Sequence, residues 1–326
     1  MKHIIHSYHP KFSGGIGDFI RGSIELHKIC KKNNIFLHID WSKHTIGSYV
    51  NNFSKTPDYD SNYILDIEEI TLRRISKNNN EPINEQFKKT LFDIIKIINE
   101  EKSSNHIGIS SYFMDFDYSV DLLEQIKNYQ IQTQTTNLLK KNINTSYLIK
   151  KEHQKIINKT QNYGTIHFRL GDRQTLVNLK KSLEKIPQSM LNNANLKEIE
   201  HDFDFLYFLI ERNLEDNNLS KIILLSDCNK FKKYVSQKNN SKIIITHFDS
   251  VHSSCKPGLL KYTKAYSHSF SDNQAYCLAL DLECLINSKI NISYSIYSWG
   301  SGFTIWPSKI FNVPLKAYRI ETYHYD

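Results

Sequence analysis

The chain has few cysteines. Five are present in 326 residues, at Cys30, Cys228, Cys255, Cys277 and Cys284, and no two form a C-x-x-C pair. An odd, scattered set of this kind excludes a disulfide scaffold and points to a reducing compartment. No apolar run approaches the ~18 residues that a membrane-spanning helix needs. The opening "MKHIIHSYHPKFSGG" also lacks the long apolar core of a signal peptide. A cytoplasmic protein is the expectation. A long basic arm is missing too, although the formal charge is +8 and the pI near 9.0. Basic residues stand among acidic ones, and no nucleic-acid module is recognisable, so no nucleic-acid partner is expected. Charge of this sign favours anionic partners, and the expectation it leaves is peripheral contact with an anionic membrane surface.

Several motifs are absent as well. There is no G-x-x-x-x-G-K-[S/T] phosphate loop and no G-x-S-x-G nucleophile elbow. His6/His9 and His252/Cys255 have spacings a metal accepts, but no four-ligand set assembles from neighbouring segments. Asp202-Phe203-Asp204 has the letters of a diphosphate-metal triplet but opens a helical stretch instead of ending a strand. No metal and no organic cofactor are expected.

What is present is alternation. "KHIIHSY" reads as a strand, the residues from Asp18 to Asn33 as a helix with one buried side, and "IFLHID" as a buried strand. "EQFKKTLFDIIKIINEE" follows as a strongly amphipathic helix and "SNHIGISSYF" as a strand, with helical pattern again from Val120 to His153. The rhythm restarts with "YGTIHFRLGD", a strand entering a glycine turn. Helix "FDFLYFLIERNLED", strand "KIILLSD", helix "CNKFKKYVSQK" and strand "SKIIITHFD" come next. The mostly buried helix "DNQAYCLALDLECLINS" and "INISYSIYSWGSGF", a strand meeting a Ser/Gly loop, complete the series. Strands alternating with helices, twice over, predict an α/β protein of two domains with parallel sheets, residues 1–155 and 156–326. Ligands of such sheets lie at the carboxyl ends of the strands, where the glycine, "RLGD", "SD" and "SWGSG" turns fall.

Two of those turns carry candidate chemistry. The loop Gly14-Gly15-Ile16-Gly17-Asp18 fails the dinucleotide fingerprint, because Ile20 fills its last glycine position. It still presents N–H groups at a helix start, either to a phosphate or sugar hydroxyl or to nothing, as a plain tight turn. In "HFRLGD", alternation sends His167, Arg169 and Gly171 to one side of the strand and Phe168 and Leu170 into packing. An Arg half-buried at a strand's carboxyl end needs a permanent anion. A pyrophosphate suits its planar fork, and an internal carboxylate is the alternative.

In this order the pieces resemble the α1,6-, α1,2- and protein O-fucosyltransferases. "GGIGDFIRGSIELHKICKKNNIFLHIDW" is similar to the glycine–aspartate loop, helix and "IDW" strand of the α1,6 group. "HFRLGD" resembles their H-x-R-x-G-D peptide, "KIILLSDCNKF" their strand ending in an acidic turn, and "LALDLECLINSKINISYSIYSWGSGF" their helix, strand and Ser-rich phosphate loop. The resemblance covers the first forty residues and most of the second half. It implies a GT-B fold, two facing Rossmann-like domains with an interdomain cleft, and an inverting, metal-independent transfer of a sugar to a glycan or lipid-linked glycan acceptor. The implied donor is a nucleotide sugar, GDP-fucose. By the same resemblance Arg169 clamps the donor β-phosphate, His167 helps place the nucleotide or sugar, and Asp227 reads the guanine edge. Ser298, Gly300 and Ser301 cradle the phosphates, Gly14, Gly15, Gly17 and Asp18 close over them, and Asp172 is the candidate base. Asp18 and Glu184 are further candidates for that base. The sequence departs from the family where Leu170 replaces a second basic residue, with Arg173 nearby, and where Trp299 replaces a small polar one.

Overall fold

The structure is a computed structural model of the chain. It describes residues 2–8, 15–51, 64–67, 70–71, 83–100, 106–111, 114, 116, 120–157, 162–170, 199–248, 271–295 and 300–320. The chain divides into two units, one built on Met1–Leu148 and the other on Ile149–His252 and Asp272–Asp326.

Unit 1 opens with β1 (His3–Ser7), α1 (Ile16–Lys32) and β2 (Phe36–Asp40), continues through β3 (Ile64–Asp66), α2 (Ile83–Glu100) and β4 (His106–Ser110), and adds α3 (Leu122–Asn128) and α4 (Thr133–Asn142). Its four strands pair in the order β2-β1-β4-β3, all parallel. The near-continuous apolar runs of β1 and β2 are those of strands covered on both faces: Ile4, Ile5 and Ile39 are fully buried. Helix α1 buries Ile16, Phe19, Ile20, Ile24 and Leu26 along one stripe, as its spacing requires. Its end is set by Asn33 and Asn34, the latter at φ 53°, a left-handed value that asparagine tolerates.

Unit 2 contains α5 (Tyr147–Ile157), β5 (Tyr163–Arg169), α6 (Ile199–Asp216), β6 (Lys221–Ser226), α7 (Asn229–Gln237), β7 (Ile243–Ile244), α8 (Asp272–Ile286), β8 (Asn291–Ser295), α9 (Gly302–Phe311) and β9 (Leu315–Arg319). The sheet order is β7-β6-β5-β8-β9, again all parallel. The division at Leu148/Ile149 falls inside α5, near the expected boundary at 155/156, and most of α5 packs with the second sheet. Its His153 Nε2 lies 2.8 Å from the Tyr163 hydroxyl, and Ile156 and Ile157 pack against the Tyr163–Leu225–Leu285 cluster of the second sheet.

One face of that second sheet is apolar. Ile166 and Phe168 of β5, Ile222 and Leu224 of β6 and Ile292 of β8 pack against Phe203, Leu206 and Ile210 of α6 and Phe231 and Val235 of α7. Rings cross this face in a row, with Phe168 edge-on to Phe231 and stacked on Tyr294, which stacks on Tyr318. The other face is partly polar. Register places Thr165 beside Asn291, His167 beside Ser293 and Arg169 beside Ser295, so a polar seam runs toward the carboxyl ends of β5 and β8. Because the strands after β5 extend to one side and β8 and β9 to the other, the sheet order reverses at β5/β8, where open parallel sheets form their ligand crevices.

Candidate functional site

The described candidate residues of unit 2 converge on that point. Arg169 ends β5 with 12 % of its side chain exposed, and a guanidinium Nη of its fork is ion-paired to Asp227, just past the end of β6. The other Asp227 oxygen accepts the Leu170 N–H at 2.9 Å. Sequence alone left open whether the anion on Arg169 is internal or external, and here an internal carboxylate holds it. Asp227 is committed to the strand end beside it, with an oxygen toward each of two neighbouring groups, instead of facing outward.

His167 is buried in the same strand, and its Nδ1 lies 2.6 Å from the hydroxyl of Thr304, in the first turn of α9. Burial, then the Arg169 charge, pulls its pKa down to about 3, with Lys232 acting the same way and Asp281 opposing. The ring is therefore uncharged at neutral pH. Phe303 stands edge-on to it at 5.7 Å. The start of α9 is thus seated on β5, two residues short of Arg169. Gly300 takes φ 72°, a left-handed conformation that costs glycine nothing, and Ser301 is the N-cap, 3 % exposed, its carbonyl accepting from Thr304 and Ile305. The first peptide N–H groups of such a helix lack intrahelical acceptors and carry partial positive charge.

In unit 1, Gly15 is the N-cap of α1 and Gly17 lies inside its first turn. Asp18 is used locally: it accepts the Gly15 N–H at 3.1 Å and pairs with Arg21 at 3.1 Å. That is the capping role of an acidic residue at a helix start. Gly14, Asp172 and Ser298, and with them Arg173, Glu184 and Trp299, lie outside the described residues.

Residues that the motifs did not flag complete the charged cluster. Asp281 of α8 is bound to His247 Nε2 at 2.9 Å and accepts the Thr246 hydroxyl at 3.2 Å. Burial works against charge on His247, but Asp281 outweighs it and raises the pKa to about 9. Burial likewise works against Asp281, yet the His247 charge, followed by Lys232 and His167, holds its carboxyl below the usual range. Lys232 of α7 is fully buried and donates to the His247 carbonyl at 3.1 Å. The signal was present in "LALDLECL": acids inside a mostly apolar helix are almost never buried unless partnered.

Unit 1 buries a different set beside the end of β2. The rings of Tyr8, Phe19, Trp41 and His44 meet at 4.5 to 6.2 Å. His6 bridges the Ser23 hydroxyl and the Ser111 carbonyl. His44 Nδ1 accepts the Ile46 N–H, while its Nε2 and the Trp41 indole N–H are enclosed without a partner. Burial pulls both His6 and His44 down to about 3. Among the described residues no group of three or more His, Cys, Asp or Glu is placed to hold a metal ion, and no helix is long and apolar enough to cross a membrane.

No protein-family model matches the chain, and no curated protein matches it. Solved structures do. NodZ α1,6-fucosyltransferase co-crystallised with GDP is similar at 11 % identity and TM-score 0.44, over 94 % of this chain and 91 % of that one. Fucosyltransferase NodZ from Bradyrhizobium is similar at 11 % and 0.41, over 94 % and 92 %. POFUT1 in complex with GDP-fucose is similar at 9 % and 0.46, over 96 % of each chain. At these identities and scores the likeness gives no residue of this chain a role.

Proposed function

We propose that the protein is a glycosyltransferase that binds a nucleoside-diphosphate sugar in unit 2, with GDP-fucose as the donor, and transfers the sugar to a hydroxyl of a glycan acceptor, free or lipid-linked. The observation that carries this reading is the seating of the α9 N-terminus on β5 beside Arg169. A fixed guanidinium and a helix start at one strand end form a site for the charge of a diphosphate. The H-x-R-x-G-D and Ser/Gly peptides of the sequence support the same donor class.

In the proposed reaction the acceptor oxygen attacks the anomeric carbon from the face opposite the diphosphate. The new C–O bond forms as the old one breaks, and the electron pair of the broken bond stays on the phosphate oxygen. Arg169 and the α9 N–H groups stabilise that charge without a metal ion. Asp172 is assigned as the group taking the acceptor proton. Asp227 is assigned to orient the Arg169 fork. The GT-B arrangement and the anionic membrane surface as the place of the acceptor belong to this same proposal.

The test is calorimetric titration with GDP, UDP and GDP-fucose in EDTA, on the wild type and on Arg169→Lys and Arg169→Ala. Selective GDP binding, weakened about 10-fold or more in Arg169→Lys because the planar fork is lost, is the expected result. Preference for UDP, or binding indifferent to both variants, overturns the reading.

A further inference from the structure

Thr304 is fully buried, and the partner of its hydroxyl is His167 Nδ1. A Thr hydroxyl in a helix often turns back to the carbonyl four residues earlier, but no such bond is made here. Ser308, one turn further on, does turn back, to the Thr304 carbonyl at 2.6 Å. The Thr304 hydroxyl proton therefore has one acceptor, the imidazole nitrogen. In the opposite assignment Nδ1–H would donate to the hydroxyl oxygen, and the buried O–H would be left without an acceptor. A buried donor left unpaired loses its hydration without compensation, which disfavours that assignment. The ring carries a single proton at working pH, because burial and the neighbouring Arg169 and Lys232 disfavour its cation. With Nδ1 accepting, that proton sits on Nε2.

We propose that Thr304 is a positioning residue: it fixes His167 as the Nε2–H tautomer, so the seated imidazole offers a hydrogen-bond donor, not an acceptor, to the bound ligand. The turn that carries Thr304 is itself held from behind. Thr165 donates to Asn291 Oδ1; Asn291 Nδ2 donates to the Ser308 hydroxyl at 2.8 Å and to the Leu285 carbonyl at 2.9 Å. Thr165, Asn291 and Ser308 are fully buried, and the Ser308 hydroxyl ends this chain of bonds on the Thr304 backbone carbonyl, which holds the turn in place. The charged groups that face the ring are Arg169 on its own strand, Lys232 from α7 and Asp281 from α8. His167 Nε2 has no partner among the described residues and is not one of the enclosed unpartnered atoms. The ligand atom it selects is an oxygen or ring nitrogen with a free lone pair. A ligand with an N–H donor there would set donor against donor, which a binding site rejects strongly.

This inference rests on the proposed nucleotide site only for the ligand's identity. The tautomer is tested without ligand. In protein labelled with ¹⁵N-histidine, with the His167 signals assigned by their loss in His167→Gln, the expected pattern is an unprotonated Nδ1 and a protonated Nε2, unchanged from pH 5 to 9. Thr304→Ser keeps the hydroxyl and should keep that pattern; Thr304→Val should lose it, showing the other tautomer, a mixture, or a ring that titrates near its ordinary value. A wild type with the proton on Nδ1 overturns the proposal, and so does a Thr304→Val spectrum identical to wild type. If Thr304→Val does not fold, the wild-type spectrum alone decides. Titration with GDP then tests the ligand side: about 10-fold weaker binding in Thr304→Val, recovered in Thr304→Ser, is expected. If the wild type does not bind GDP, the donor reading fails while the tautomer result stands.

Discussion

The two sheets bury polar groups beside the carboxyl ends of their strands, but of different kinds. In unit 2 the buried or nearly buried set is charged: Arg169, Lys232 and protonated His247, with Asp227 and Asp281. In unit 1 the rings of Tyr8, Phe19, Trp41, His6 and His44 are uncharged. Among the described residues the buried acids of unit 1 are Glu25, Asp40 and Asp66, and Glu25 pairs with the more exposed Lys28 at 3.2 Å. The difference is one of internal chemistry: unit 2 buries charges that offset one another, whereas unit 1 buries ring faces and neutral N–H donors.

That contrast breaks most visibly when a charge is removed. Asp281→Ala strands the buried His247 cation, and loss of one partner from such a pair costs about 3–5 kcal/mol. Asp40→Asn in unit 1 keeps an oxygen for the Ser42 N–H and replaces the one that accepts the Ser42 hydroxyl, and should cost about 1–2 kcal/mol. Hydrogen exchange read separately in α8 and in α1 distinguishes the two. Equal losses would mean that the charge of unit 2 is no more committed than that of unit 1.

Next in size are the two limbs of the pH dependence. His247 gains its proton in the fold, so the stability it contributes is complete below pH 6.5 and lost as the pH rises through about 9, on the order of 3 kcal/mol. His6, His44 and His167 are held neutral, so the unfolded chain binds more protons below pH 6.5, and stability falls as pH drops from there toward about 3. Urea melts across pH 4 to 10 should show both limbs. Asp281→Asn should erase the alkaline limb and spare the acid one; an unchanged alkaline limb would contradict the assignment to His247.

The smallest effect is expected for Trp41→Phe. It removes an enclosed, unpartnered N–H and also leaves a small void, and the two nearly offset, within about 1 kcal/mol. A loss of several kcal/mol would show that the indole N–H is satisfied in solution.

Much of this architecture was legible from the order of elements, because strands covered on both faces read as apolar runs between turn residues. β1, α1, β2, α2, β4, β5, α6, β6, α7, α8 and β8 all fall on segments that periodicity marks. The misses have local causes. β3 is three residues long, too short for a period, and "SKIIITHFD" supplies a strand of only Ile243–Ile244. α9 carries Pro307 inside it, a residue that ordinarily breaks a helix. At the site, alternation along "HFRLGD" was informative about His167 and Arg169 because a strand has one simple period. The partner of Arg169 was not legible, since Asp227 stands 58 positions away and is brought there by the β5–β6 register. Lys232, His247 and Asp281 were missed for the same reason: each stands on a different segment, and only the fold makes them neighbours.

The ion pair between Arg169 and Asp227 has one further consequence. The guanidinium already carries an anion tethered to the same fold, so a phosphate that approaches it competes with Asp227. The measured affinity is then the intrinsic one scaled by the fraction of molecules in which the fork is released. A weak phosphate compound cannot overcome that fraction and is turned away. A ligand that adds contacts elsewhere can, so the internal carboxylate acts as a threshold that selects against bare phosphate.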